Sequence, residues 1–418
     1  MPNQNNERRV VVTGMGTVNA LGHDVDTTWE KIRAGVSGID KITQFDASEH
    51  KTQIAAEVKG FDPIPLMGKR DARRTDRATQ LAWAAADEAL TDANFEQIPE
   101  EVRASAGVIL GTGIGGIHAT ETNDKILREK GPSRLSPHFI PMMLADSIPA
   151  RISLAYTLRG PNMAIATACA SSTNAIGEAA QMIKYRGYDL MVTGGSEATI
   201  TPLIIAGFNV MGAMSTWNHD PQRASRPFDL ERNGFVPGEG AAILVLEELE
   251  HAKARGAHIY AEIAGYGTSA DAYHVTAPQE DGEGAIRSMN LALEQAGLQP
   301  QEIDYMNAHG TSTQLNDRME TNAIKRLLGE DAYNLSISST KSMHGHLLGA
   351  TGALEMVISI SAMNANIVPP TTNYTTPDPD LDLDYTVNGA KPKTINTFMS
   401  NSFGFGGHNA TLIARTVD

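Results

Sequence analysis

Cysteine is almost missing from this sequence of 418 residues: Cys169 is the single one. One thiol excludes an intrachain disulfide and any multi-thiolate metal site, and leaves two readings, a small buried hydrophobe or a reactive group. Long apolar runs are missing too. None reaches 18 residues, and the opening MPNQNNERR is polar and charged. Neither a secretory leader nor a membrane-spanning helix is therefore expected, and the cytoplasm is the expected location. Positive charge is in short supply: 34 Lys and Arg stand against 49 Asp and Glu, for a net charge of -15. Such a mean field repels nucleic acid and anionic membranes, so neither is expected as a partner. Aromatic residues make up only 6%, yet the hydrophobic content of 41% still provides a core for two domain-sized units or one large architecture.

The chain reads as an α/β protein that repeats itself. RRVVVTGMGT (8–17) is a strand running into a glycine-containing turn, and HIYAEIAGYGTSADAY (258–273) answers it. MAIATACASSTNAIGEAAQMIKY (163–185) reads as a short strand, a tight corner and a helix with Thr173, Ile176, Ala180 and Ile183 on one face; LSISSTKSMHGHLLGATGALEMVISISAM (335–363) has the same plan. Each half then closes on a pair of sheet-forming runs, DLMVTGGSE with AAILVLEEL and NTFMSNSFGFGG with NATLIART. Two layered halves, 1–253 and 254–418, follow from this pattern. Between them EELEHAKARGAHI (247–259) looks like a charged helix and not a flexible tether, whereas the proline-rich 369–385 reads as a surface excursion.

GTGIGG (111–116) formally matches a dinucleotide fingerprint, but no credible second strand with an acidic end follows it, so its glycines are assigned to close packing or to a ligand wall. Lys69, Arg70, Arg73, Arg74 and Arg77 form a basic cluster in an otherwise acidic chain. By itself this reads as a solvated helix face. Cys169 falls at a strand-to-helix corner, where unpaired N–H groups and the helix dipole favour a thiolate. NAHGTST (307–313) places His309 at the C-terminal end of a strand, and STKSMHGHLLGATG (339–352) places Lys341, His344 and His346 at the next strand-to-helix corner. If a pseudo-dyad relates the halves, these corners face one cleft.

TACASS around Cys169, NAHGTST around His309, STKSMHGHLLGATGA around Lys341 and His346, and NSFGFGGHNA around Phe405 occur in an order that resembles the β-ketoacyl-[acyl-carrier-protein] synthases of thiolase fold. The resemblance implies a five-layered αβαβα homodimer that uses no required cofactor. It also implies a Cys169, His309 and His346 triad, with Lys341 as a supporting charge and Phe405 as a gate and oxyanion donor. Ile114 and Phe403 would line the substrate pocket, Thr276, Thr311 and Thr313 would bind pantetheine, and Asn307, Glu355, Ser400 and Asn401 would hold a structural monovalent cation. The implied reaction is the decarboxylative condensation of acyl- with malonyl-acyl-carrier protein, both loaded on 4'-phosphopantetheine. The pattern is closest to the type II elongating synthases, with a type I or polyketide-type synthase as the alternative. Acyl-carrier proteins are acidic, so Lys69, Arg70, Arg73 and Arg74 become a docking patch under this reading. A thiolase is excluded because it needs a second catalytic cysteine. An initiating synthase would carry Asn where His346 stands, and a non-catalytic partner subunit would have lost the cysteine. A metal hydrolase on His309, His344 and His346 would leave the thiol unexplained. His344 and His408 stand where relatives often have Thr.

Overall fold

A computed structural model describes residues 8–387 and 389–417. Ten strands form the main sheet: β1 (Val10–Asn19), β2 (Gly107–Gly111), β3 (Asn162–Ile165), β4 (Leu190–Glu197), β5 (Gly240–Glu248), β6 (Ala261–Ala270), β7 (Tyr305–Asn307), β8 (Ser336–Ser338), β9 (Thr397–Gly404) and β10 (His408–Arg415). Their spatial order is β8-β7-β9-β10-β6-β1-β5-β4-β2-β3. The order is a palindrome in which each strand of the first half has its counterpart five strands later. Within the sheet the two halves meet at a short antiparallel pairing of Val11 and Val12 with Glu262 and Ala261.

Five helices build the layers: α1 (Arg77–Asp92), α2 (Ser171–Arg186), α3 (Glu283–Ala296), α4 (Gln314–Leu328) and α5 (Thr351–Ala365). Helices α2 and α5 touch each other and strands of both halves, whereas α1 covers β1 and β5 and α3 covers β6 and β10. The two half-sheets therefore face one another across α2 and α5, with outer helices behind each, which makes five layers. The sequence explains the close contacts. A Cβ on Gly14 or Gly16 of β1 would fall 2.2 or 2.1 Å from carbonyl oxygens of α1, and one on Gly265 or Gly267 of β6 would fall 2.2 or 1.9 Å from those of α3. The GMG of the first half and the GYG of the second are thus one packing device used twice.

The expected α2 face is buried at Thr173, Ile176, Ala180 and Ile183. The stretch Leu348–Ala365 is long and apolar enough to cross a membrane by length and composition, but 83% of it is buried inside the protein, so its hydrophobicity serves the central layer. One expectation needs correction. Segment 369–385 is no surface excursion: Leu381, Leu383 and Tyr385 are buried, and Tyr385 stacks on Phe228 with ring centroids 3.9 Å apart. The alternation of Asp with apolar residues in DLDLDY turns one side inward and the other out.

Gly177 of α2 packs on Tyr266 of the other half, where an added Cβ would come within 2.4 Å of the ring. Alanine normally favours a helix over glycine by about 1 kcal/mol. Overpacking reverses the sign here, and Gly177→Ala is expected to lose roughly 1–3 kcal/mol, as chemical denaturation would measure.

Candidate active site

The corner that carries the thiol is strained and duplicated. Ala168 has φ 49° and Leu348 has φ 47°, each non-glycine residue opening a short 3-10 turn that runs into α2 or α5. A left-handed L-residue costs roughly 1–2 kcal/mol, so both halves hold this elbow against its local preference. Ser171 Oγ fastens the first elbow, accepting from the Thr167 N–H at 2.9 Å and donating to the Ala168 carbonyl at 2.6 Å. Gly404 completes it: a side chain there would lie 2.8 Å from the Thr167 carbonyl oxygen and 3.0 Å from the Cys169 nitrogen. Without one, the β9 end comes close enough for the Phe405 N–H, with that of Cys169 itself, to donate toward the sulfur.

The second half brings its histidines to the same point. Cys169 Sγ lies 3.2 Å from His346 Nε2. The His309 and His346 rings meet edge to face at 5.4 Å, and one ligand atom each of Cys169, His309 and His346 lies within 4.8 Å of the others. His346 Nδ1 is bonded to Thr351 Oγ1 at 2.9 Å. His309 is set by its backbone, since Glu320 of α4 accepts the His309 and Gly310 N–H groups, both at 2.8 Å. Lys341 Nζ is fully buried in an ion pair with Glu355 at 2.5 Å.

Burial governs the protonation states. It pushes the Cys169 thiol up to about 12, against the pull of the Lys341 charge and the two N–H donors. Desolvation of the anion thus works against the thiolate expected from the helix terminus. Burial first, then Lys341, holds His309 and His346 well below the ordinary imidazole value. Both rings are neutral, and each carries one N–H.

A cavity of about 440 Å³ leads to this centre, lined by Ile114, Thr276, Thr311, Thr313, Phe403 and Phe405 together with the three reacting side chains. Thr311 and Thr313 bond to each other at 2.9 Å, and Thr313 also caps α4. The GTGIGG turn supplies packing and wall: a Cβ on Gly111 would come within 2.3 Å of the Ser171 backbone, and Gly113 borders the cavity. His344 is elsewhere. It is buried with Nε2 on Thr340 Oγ1 at 2.9 Å, so the His309, His344 and His346 chelate is not formed. His408 begins β10, partly exposed beside Gly406.

Of the basic cluster, Lys69, Arg70 and Arg73 are exposed and Arg74 is half-buried. Arg77 departs from it, turning inward to Glu239 at 2.7 Å. Of the four residues implied for a cation, Asn307 Oδ1, Ser400 Oγ and Glu355 Oε2 are buried oxygens without a hydrogen-bond partner, and Asn307 and Ser400 are register neighbours on β7 and β9. The Asn401 side-chain oxygen is already taken by Thr411 at 2.9 Å.

Two carboxylates escaped sequence reasoning. Glu320 could have been suspected as a polar residue on the buried side of an amphipathic helix. Glu197, which accepts from Gly113 at 2.6 Å and Gly349 at 3.0 Å and so ties the GTGIGG turn to the second elbow, left no local signal.

Residues 7–252 match the family described as "Beta-ketoacyl synthase, N-terminal domain", and 260–375 match "Beta-ketoacyl synthase, C-terminal domain". The chain belongs to the β-ketoacyl synthase family. It is 50% identical over 406 residues to the 3-oxoacyl-[acyl-carrier-protein] synthase 2 of Staphylococcus aureus (strain COL), covering 97% of this chain and 98% of that one. To the enzyme of the same name from Coxiella burnetii (strain RSA 493 / Nine Mile phase I) it is 49% identical over 411 residues, covering 98% and 99%. Among solved structures, a beta-ketoacyl synthase from Burkholderia phymatum STM815 superposes with a TM-score of 0.91 at 37% identity, covering 98% of this chain and all of that one. A type II polyketide ketosynthase, solved with its acyl-carrier protein and bound to a hexaketide, gives 0.90 at 36%, covering 99% and 100%. The synthase thus has the thiolase fold of these relatives.

The charge state of the thiol is open to direct measurement. Alkylation of the free synthase by iodoacetamide is expected to rise about tenfold per pH unit between pH 6 and pH 9, because only the thiolate attacks and its fraction grows steadily below the pKa. Lys341→Met removes a charge that favours the anion, so it should slow alkylation at every pH. A rate plateau by pH 7 would contradict the buried, protonated thiol.

Proposed function

We propose that this protein is an elongating 3-oxoacyl-[acyl-carrier-protein] synthase of type II, condensing an acyl primer with malonyl-acyl-carrier protein and releasing CO2. The observation that carries the reading is the meeting of one thiol and two neutral imidazoles, drawn from opposite halves, in an open, largely apolar cavity.

In the first half-reaction the Cys169 sulfur attacks the acyl thioester carbonyl. Its proton passes to His346 Nε2, 3.2 Å away, and then to the departing pantetheine thiol, leaving an acyl-enzyme. Negative charge on the carbonyl oxygen is met by the Cys169 and Phe405 N–H groups; losing one such donor costs about 3 kcal/mol of barrier. In the second half-reaction malonyl thioester enters. As its carbon–carboxylate bond breaks and CO2 departs, the electron pair moves into an enolate whose oxygen accepts the N–H of His309 and, once the His346 proton has shifted from Nδ1 to Nε2, that of His346. Neutral rings suit this role, since each donates without having to lose a proton. The enolate carbon attacks the acyl carbonyl, the carbon–sulfur bond breaks, and the Cys169 sulfur takes up a proton from solvent to restore the thiol.

Lys341 and Glu355 sit behind the histidines as a buried ion pair. Three bare oxygens beside that pair suit a hard monovalent cation, held by Asn307, Ser400 and Glu355, whose charge keeps Glu355 ionised. A melting temperature unchanged between potassium and choline chloride would overturn this. Strand β3 ends the sheet, and Met163 on it is 39% exposed. An open apolar edge pairs readily, so a second copy joined through β3 belongs to the proposal; light scattering that reads a monomer would refute it. A cytoplasmic place of action goes with the same reading, to be checked by cell fractionation.

The primary test is an elongation assay with malonyl-acyl-carrier protein and a primer series. Cys169→Ala is expected to abolish acyl transfer. Ile114→Phe, which fills the cavity wall, is expected to block long primers while sparing short ones, and equal loss on both would remove Ile114 from the acyl pocket. Lys69→Glu with Arg73→Glu should raise KM for carrier-linked substrates, with weaker salt dependence, and leave small thioester analogues unaffected. An unchanged salt dependence would rule out docking at this patch.

A further inference from the structure

The side chains that carry out the condensation also make up a set of metal donors. Among the described residues, Cys169, His309 and His346 are the one group of three His, Cys, Asp or Glu whose ligand atoms converge, and all three are buried. The His309 side chain is only 2% exposed, and a backbone hydrogen bond with Phe403 engages its ring and leaves one nitrogen for a metal. Tetrahedral zinc binds sulfur at about 2.3 Å and imidazole nitrogen at about 2.0–2.1 Å, which sets its ligands about 3.3–3.6 Å apart. The sulfur-to-His346 distance of 3.2 Å is already near that spacing, and the largest separation of 4.8 Å needs only about an ångström of ring movement. Thiolate with imidazole selects zinc over magnesium or calcium.

Lys341 opposes a cation here as it opposes imidazolium, but its Nζ is paired with Glu355 at 2.5 Å, which offsets part of that charge. The N–H groups of Cys169 and Phe405 directed at the sulfur would support a metal-bound thiolate from outside the ligand shell. The adjoining cavity leaves room for water as a fourth ligand.

We propose that Cys169, His309 and His346 of the free enzyme form a latent zinc site, and that zinc bound there reversibly blocks acyl transfer. Binding forms a zinc–sulfur bond and releases the thiol proton to solvent, with no change of oxidation state. An acyl group on the sulfur removes that donor, so the acyl-enzyme is protected. Binding is read without any substrate, so this inference and the condensation reading fail separately.

The test uses the full chain in thiol-free buffer. Calorimetric titration with zinc chloride is expected to show one ion per chain. Cobalt(II) in its place is expected to give a thiolate-to-metal charge-transfer band, and a chelator should restore acyl transfer to the zinc-inhibited enzyme. Cys169→Ala should weaken binding by at least about 100-fold and abolish the band; wild-type enzyme alkylated at Cys169 should do the same, covering the case of a variant that folds poorly. Equal zinc affinity in wild-type and alkylated enzyme, or cobalt binding without the band, would overturn the proposal.

Discussion

The contact between Cys169 and His346, 3.2 Å apart across the two halves, is the constraint on which the remaining structure depends. Neither half can make it alone. The sulfur rides on the elbow ahead of α2, and the imidazole stands just ahead of the matching elbow before α5. Only the packing of those two helices against each other, between half-sheets joined by a short strand pairing, brings the elbows together. Glycines whose missing Cβ atoms permit that closeness are thus part of the chemistry, as at Gly404 beside the Cys169 nitrogen.

Burial has opposite effects on the two kinds of reacting group, and both serve the condensation. It pushes the thiol up, so the sulfur must be deprotonated as it attacks, and it holds the histidines down, so they stay neutral donors. One positive charge, Lys341, works on all three groups, favouring the thiolate and disfavouring imidazolium. Glu355 keeps that lysine in place at the expense of a buried carboxylate, which burial pushes up to about 7. Both elbows stand at the site, and the ion pair behind it includes Glu355, one of whose carboxylate oxygens has no hydrogen-bond partner.

Much of this was legible in the chain. Strand and helix periodicities gave the duplication, but the paired GMG and GYG runs read as turns, whereas both lie inside strands where missing side chains let a helix pack close. Cys169, His309, His344 and His346 each fall where a strand gives way to a helix, the end at which α/β sheets present their sites, and the resemblance to the family is what separated His346 from His344. The misreadings have identifiable causes. Proline in 369–385 masked the alternation of DLDLDY, and the helix-terminus argument for a thiolate left out the cost of desolvation. Arg77 was grouped with its basic neighbours because sequence distance does not reveal which way a helix faces.

What the sequence determined by itself is the inventory and the plan: one nucleophile, histidines at two further corners, an acidic surface with a basic exception, and two α/β halves of like design. These follow from residue type and local period, which need no knowledge of distant contacts. Tertiary structure alone decided the protonation of the thiol, the exclusion of His344 from the site, and the parts played by Glu197 and Glu320. Each of these depends on burial and on partners far away along the chain, and a one-dimensional pattern carries neither.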